Sequence, residues 1–179
     1  MIPFETIIEL CSYAFEPYGS SSWYQSAPPT AESVKVISEE LHLVIPDDFI
    51  MLARRCPNYG GWFASIGEDY DNPIHILNVN KQFHEEGLPS HFVILNHGHD
   101  GDCDCWDKRA VSDKGEHPIT YIHVDGHSVR EKRDYIFYSF RDYLENFSRT
   151  HSVRTSVRKL RRKAKRILAE FDESSGANQ

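Results

Sequence analysis

Phe92-Val93-Ile94-Leu95-Asn96-His97-Gly98-His99-Asp100-Gly101-Asp102-Cys103-Asp104-Cys105-Trp106-Asp107 is the stretch on which the fold turns. Four apolar residues enter, a run of His, Gly and Asp follows, and acids alternate with thiols on the way out. An apolar run, a Gly-Asp turn and a period-two return read as a β-hairpin, with strands near 91–96 and 102–107. Alternation turns Cys103 and Cys105 toward the core and sets Asp102, Asp104 and Trp106 together on the opposite face. Carboxylates beside an exposed or partly exposed aromatic suit a surface that binds protein, with plain solvation as the other reading.

The same residue types also suggest metal, and each ligand pattern can be tested by position. His97, His99, Asp100 and Asp102 approach the His-x-His-x-Asp-His signature of metallo-β-lactamase-type hydrolases. Gly101 stands where that signature needs Asp, and Asp102 where it needs His. Asp100, Asp102 and Asp104 match the spacing of the first three EF-hand ligands, but the Gly and Glu that such a loop requires further on are Cys105 and Val111 here. His97, His99, Cys103 and Cys105 offer nitrogen and sulfur to zinc, in a Cys-x-Cys spacing that departs from the usual structural knuckle. A metal-dependent hydrolase centred on His97, His99, Asp100 and Asp102 is therefore the enzymatic alternative. The misses favour a domain without metal, other cofactor or catalytic residues. Cys11 and Cys56 lie in helical apolar patterns and read as core, and no nucleophile or phosphate-loop motif occurs.

Outward from the hairpin, apolar residues at 4, 7, 8, 10, 11 and 15 predict a first helix over Ile2 to Phe15, ended by Pro17 and Gly19. Gly19 to Pro29 reads as a loop, and Thr30 as the N-cap of a helix over 31–43. Pro46 should be the first residue of the next helix, with Asp47 and Asp48 complementing its dipole and Pro57-Asn58 stopping it. Gly60-Gly61 then turns into a predicted strand, Trp62 to Ile66. Glu68 to Pro73 is an acidic turn, and Ile74 to Phe83 fits a strand or a short helix equally well. Beyond the hairpin, Pro118 to Val124 predicts a third strand closed by Asp125-Gly126, Tyr135 to Phe147 a helix, and about Ser152 to Phe171 a last helix before a frayed end. Helices flanking short, tightly linked strands imply an α+β fold with an antiparallel sheet.

At 179 residues the chain fits one domain with appendages: an N-terminal helix and loop over 1–33, a domain over 34–148, and a basic helix and tail over 149–179. No secretory leader or membrane-length apolar run is evident, and four cysteines form no disulfide framework, so a cytosolic protein with reduced thiols is expected. Residues 1–150 carry 12 Lys and Arg against 24 Asp and Glu, whereas residues 151–179 carry 8 against 3. The acidic body should repel nucleic acid and membranes and attract basic partners. Glu68, Asp69, Tyr70 and Asp71, with Asp100, Asp102, Asp104 and Trp106, are the candidate partner-binding residues. In the last helix Val153, Val157, Leu160, Ala164, Ile167 and Phe171 form an apolar stripe among eight cations. That stripe needs burial, either on the chain's own acidic body or on a sister subunit, which would make a homodimer, with nucleic-acid or membrane contact by the basic helix as the secondary reading.

In their order along the chain these pieces resemble the SUKH superfamily, the Smi/Knr-like domains, over roughly Val34 to Phe147. Leu43-Val44-Ile45-Pro46-Asp47-Asp48-Phe49-Ile50-Met51-Leu52 leading to Gly60-Gly61 is similar to the family's opening helix and following glycine. Phe92-Val93-Ile94-Leu95, Asp100-Gly101-Asp102 and Trp106-Asp107 look like its strand, Gly-Asp turn and returning strand, and Ser139-Phe140-Arg141-Asp142-Tyr143-Leu144 like its closing helix. The resemblance implies a non-catalytic α+β domain that binds a partner protein through loops and a polar sheet face. Its best-known role is bacterial immunity, the stoichiometric neutralisation of a cognate toxin, with regulatory domains as the alternative.

Overall fold

The computed structural model describes residues 2–18, 26–98, 100–113, 115–125 and 128–176. Strands β1 (Phe92–His97), β2 (Asp102–Asp107), β3 (Ile119–Asp125) and β4 (Ser128–Phe137) follow one another in chain order across an antiparallel sheet. Helices α1 (Phe4–Phe15), α2 (Ala31–Leu41), α3 (Asp47–Arg55), α4 (Ile76–Glu85), α5 (Phe140–Ser152) and α6 (Arg158–Gly176) flank it, which is the α+β architecture expected. Among the described residues no helix is long and apolar enough to cross a membrane.

Local chemistry accounts for the element boundaries. Thr30 closes a reciprocal cap on α2: its Oγ1 accepts from the Ser33 amide, and the Ser33 hydroxyl oxygen accepts from the Thr30 amide, both at 3.1 Å. Pro46 is the N-cap of α3 rather than its first helical residue, so Asp47 and Asp48 fill the first turn and Arg54 and Arg55 the last. At the hairpin tip Gly101 has φ +81°, and a Cβ there would lie 2.1 Å from the Val124 carbonyl oxygen, so only glycine fits.

Several elements depart from the sequence expectation. Trp62 to Ile66 forms no strand; a short 3-10 turn at Tyr59–Gly61 runs into irregular chain in which Ser65 makes one parallel bridge with His75. Ile74 to Phe83 resolves as α4, whose first turn is capped when the Leu77 amide donates to His75 Nδ1 at 3.3 Å. Residues 135–137 end a fourth strand instead of opening a helix, and α5 starts behind the Ser139 cap, where Oγ accepts from the Asp142 amide at 3.1 Å. The charged run 128–134 has no apolar alternation of its own and becomes a strand by pairing with β3. The last helix is interrupted over 153–157, which leaves Val153 and Val157 outside α6, and α6 continues beyond Phe171. Residues 19–25 of the predicted loop, His99, Gly126 and 177–179 lie outside the described residues.

An aromatic cluster occupies one face of the sheet. Phe49 lies 5.0 Å from Phe140 and 5.8 Å from Trp106 between ring centroids, and Phe63 lies 5.0 Å from Phe147. Phe15 of α1 reaches the same cluster at 6.0 Å from both Phe63 and Phe147. The core is continuous from α1, through Ile7, Leu10, Cys11 and Phe15, to Ala164 and Leu168 of α6. Because α6 packs against α1 and α5, its apolar residues Leu160, Ile167 and Phe171 rest on this chain's own body. Lys163 reinforces that contact with an ion pair to Glu9 at 2.7 Å, and Arg149 pairs with Asp172 at 2.9 Å.

The outer edge of β1 is sealed by α4. Asn80, itself buried, donates from Nδ2 to the Ile94 carbonyl at 3.0 Å and accepts from the Ile94 amide at 2.6 Å. The His84 ring nitrogen meets the Phe92 carbonyl at 3.0 Å, and the Ala64 amide donates to the Leu95 carbonyl at 2.9 Å. Unpaired strand edges invite association with other chains, and these contacts close this one.

Candidate functional site

The hairpin's polar face is built by register. Asp102 pairs with His123, Asp104 with both Asn96 and Tyr121, and Trp106 with Val93 and Ile119, so these side chains share one face. Cys105 pairs with Ile94 and Thr120, and Cys103 with His97 and Ile122, which sets both thiols on the other face. The alternation is therefore as predicted, but the exposure is not. Trp106 is fully buried against Phe49 and Phe140, so it cannot anchor a partner. Asp104 is mostly buried too: Tyr143 Oη donates to its carboxylate at 2.7 Å and Asn96 Nδ2 at 3.2 Å. The face that carries Asp104 and Trp106 is the one onto which α3 and α5 pack, and its far end reaches water.

At that far end Asp102, with 48 % of its side chain exposed, holds His123 Nδ1 at 2.8 Å, and His123 is itself 37 % exposed. Tyr121 hydrogen-bonds Asp102 from the same face; partial burial and this acidic neighbour push its phenol up to about 12. Burial raises the Asp104 carboxyl, and the donors Tyr143 and Asn96 pull it partly back. Asn96, Tyr121, His123 and Tyr143 were not picked out from the sequence. The signal was present: Ile119-Thr-Tyr-Ile-His-Val-Asp alternates, placing Tyr121 and His123 on one side of β3. A carboxylate that fixes one imidazole nitrogen leaves the other to accept or donate a hydrogen bond. No thiolate adjoins the pair, because Cys103 faces the other way and burial pushes its thiol up to about 12.

The metal-type residues of the hairpin are divided by the same geometry. His97 stands opposite Cys103, with its ring 5.6 Å from Phe83, on the face away from Asp102. Asp100 is exposed at the tip, and His99 lies outside the described residues. Among the described residues no three His, Cys, Asp or Glu side chains gather where they could hold a metal ion. Cys103 and Cys105 are buried beside Ile94 and Ile122, as packing residues are.

The second acidic surface is the loop that carries Glu68, Asp69, Tyr70 and Asp71. Tyr59 Oη accepts from the Ile66 amide at 2.8 Å and so fixes the loop's entry. Asp69 is half-buried as an internal clamp: one carboxylate oxygen accepts from Ser65 Oγ and the other from Asn72 Nδ2, both at 2.9 Å. Asn78 Nδ2 donates to the carbonyls of Tyr70 at 2.6 Å and Asn72 at 2.9 Å. Glu68 is tied to Thr30 Oγ1 at 2.6 Å, and a Cβ on Gly67 would meet the Ala27 carbonyl oxygen at 2.2 Å. What these clamps hold out is Tyr70, 38 % exposed, with its ring centroid 4.9 Å from that of buried His75. Its phenol is raised by partial burial and then by the neighbouring charges of Glu68 and Glu32. Asp71 is exposed beside it.

The two acidic surfaces rest on different supports, the loop on α2, α4 and the Tyr59 turn, the hairpin acids on β3 and α5. Comparison of the chain with protein-family models and with curated proteins yields no match.

Proposed function

We propose that this chain is a non-catalytic protein-binding domain of the SUKH-like type, an immunity protein that neutralises a cognate toxin domain by direct stoichiometric binding. The observation that carries this reading is the clamped loop 68–71, which holds out Tyr70 near the charges of Glu68 and Glu32, with exposed Asp71 next in the chain. A loop already ordered by Asp69, Asn72 and Asn78 gives up little conformational entropy on docking. Tyrosine is enriched among the residues that dominate binding energy, and the acids around it accelerate encounter with a basic surface. A nuclease toxin, whose substrate face is positive, fits that chemistry. Exposed Asp100 and the Asp102–His123 pair form a separate acidic surface on the hairpin. The reading places the protein in the cytosol, where its four free, buried cysteines stay reduced.

The test is capture of partners from the native cell by the full chain, followed by assay of the captured activity. Stoichiometric inhibition is the expected result. A partner that keeps full activity at excess chain would remove the immunity role and leave a regulatory one. Tyr70→Ala should then weaken binding by roughly 30-fold or more, the scale of a hot-spot residue. Glu68→Gln with Asp71→Asn should slow association and flatten its salt dependence. Unchanged affinity in all of these variants would show that the loop is not the docking surface.

A further inference from the structure

The charge of α6 runs against the helix that carries it. Arg158-Lys-Leu-Arg-Arg-Lys-Ala-Lys-Arg166 puts seven cations into the first half, with no acid in the first turn, whereas Glu170, Asp172 and Glu173 occupy the second half. Helix dipoles favour the reverse, acids at the start and bases at the end, so this order weakens the helix rather than supporting it. Nor is the charge spent inside the molecule. Lys163 pairs with Glu9, and Arg166 only approaches Glu170, at 3.9 Å. Among the described residues no carboxylate lies within ion-pair distance of Arg158, Lys159, Arg161, Arg162 or Lys165, and all five are exposed. At 3.6 residues per turn these five span an arc of about 160°, from Arg161 beside Leu168 round to Lys159, with Arg162 facing away from the stripe of Leu160, Ala164, Ile167 and Phe171.

We propose that the outer face of α6 docks on the phosphate backbone of double-stranded DNA, binding without regard to base sequence. An anionic membrane is the poorer occupant, because a surface-bound helix must insert an apolar face and that of α6 is packed on α1 and α5. A helix face carrying closely spaced Arg and Lys side chains suits phosphate oxygens. The half-cylinder left open fits a B-form major groove about 12 Å wide, whereas the major groove of duplex RNA is too deep and narrow to admit it. The acidic body confines the contact to this side of the molecule, so affinity should be modest and strongly dependent on salt. This inference is independent of the acidic loop and its partner.

Fluorescence anisotropy of a labelled DNA duplex of about 20 base pairs, titrated with the full chain at roughly 50 mM and roughly 200 mM salt, tests it. If about four phosphates are neutralised, affinity should fall on the order of 100-fold between the two conditions. Replacing Arg158, Arg161, Arg162 and Lys165 by Gln should weaken binding at the lower salt by about 10-fold or more. Lys35→Gln with Lys81→Gln, which neutralises exposed cations on α2 and α4, should leave it unchanged. Circular dichroism confirms the fold of each variant, and Arg161→Glu with Arg162→Glu is a second perturbation, at two positions, that should weaken binding at least as much. No binding at low salt, equal binding by the Gln variant, or equal or tighter binding of an RNA duplex would overturn the proposal. So would a preference for anionic phospholipid vesicles, or α6-dependent self-association without DNA binding.

Discussion

Replacing Tyr143 by Phe isolates one hydrogen bond at the boundary between core and candidate site. The ring of Tyr143 is buried among Phe63, Phe137, Phe140 and Phe147, and Phe keeps that packing. What disappears is the 2.7 Å donation from Oη to the mostly buried Asp104 carboxylate, while the donation from Asn96 at 3.2 Å stays. A hydrogen bond to a charged group contributes about 1.5–3 kcal/mol and one between neutral groups about 0.5–1.5 kcal/mol. The expected loss is therefore about 2 kcal/mol where Asp104 is ionised and about 1 kcal/mol where it is protonated. The sign follows from linkage. Burial raises the folded-state pKa of Asp104 above its unfolded value, so stability present below the unfolded pKa is lost as pH rises through the folded one. Tyr143 lowers that pKa, and its removal raises it further, so the variant loses more than the wild type over the same rise. Urea unfolding followed by circular dichroism measures this at neutral pH and at the lowest pH where the wild type stays folded. An unchanged urea slope would confirm that the unfolding reaction is the same. In thermal melts about 2 kcal/mol corresponds to a fall of roughly 4–8 °C for a chain of this size. Asp104→Asn, which retains an acceptor for Tyr143 and removes the buried charge, should raise stability at neutral pH and lose that advantage in acid. A Tyr143→Phe loss under about 0.5 kcal/mol at neutral pH, or a loss that grows on acidification, would mean that this hydrogen bond does not hold Asp104 in its charged form.

Trp106→Ala should cost about 3–5 kcal/mol in urea unfolding because it empties a core site, while protein that remains folded binds its partner as before. Asn80→Ala should cost about 3 kcal/mol, since the Ile94 amide and carbonyl on the β1 edge lose their buried partner; a cost below about 1 kcal/mol would mean that the edge is not sealed by this residue. Asn72→Ala with Asn78→Ala should free loop 68–71, lowering partner affinity while changing global stability by no more than about 1 kcal/mol. Burial pushes the thiols of Cys56 and Cys103 up to about 11 and about 12, and those of Cys11 and Cys105 well above the usual range. A disulfide reagent at mildly alkaline pH should therefore leave all four unmodified in the folded chain and titrate all four in urea, and rapid native labelling of any one would contradict its burial.

Asp104 illustrates how a site can be partly legible in sequence. It was recognised as a hairpin acid, yet its burial turns it from a surface charge into the acceptor that joins β2 to α5. A buried carboxylate that resists ionisation weakens the fold at neutral pH, and such groups concentrate where a surface has work to do. Its neighbour Asp102 keeps water access and fixes His123, so the exposed part of the polar face lies at the tip of the hairpin.

What the amino-acid order determined was a set of features that depend on neighbours a few residues apart. The Thr30 cap, the first-turn acids of α3, the glycine turn at Gly101 and the phase of β2 all follow from local hydrogen bonds, helix dipoles, φ and the two-residue pleat. Only the tertiary structure decided which side of each element is wet. Alternation placed Asp104 and Trp106 on one face, but it carries no information about what packs there; α3 and α5 arrive from distant sequence and bury that face, while Ile94 and Ile122 flank the thiols on the other. For the same reason α4 could not be told from a strand, since Ile76 and Val79 gain their meaning from the core they meet, and β4 became a strand only because β3 offered it hydrogen bonds. Residues far apart in the chain chose the exposed acids, because burial is a property of the assembled core and not of any window of sequence.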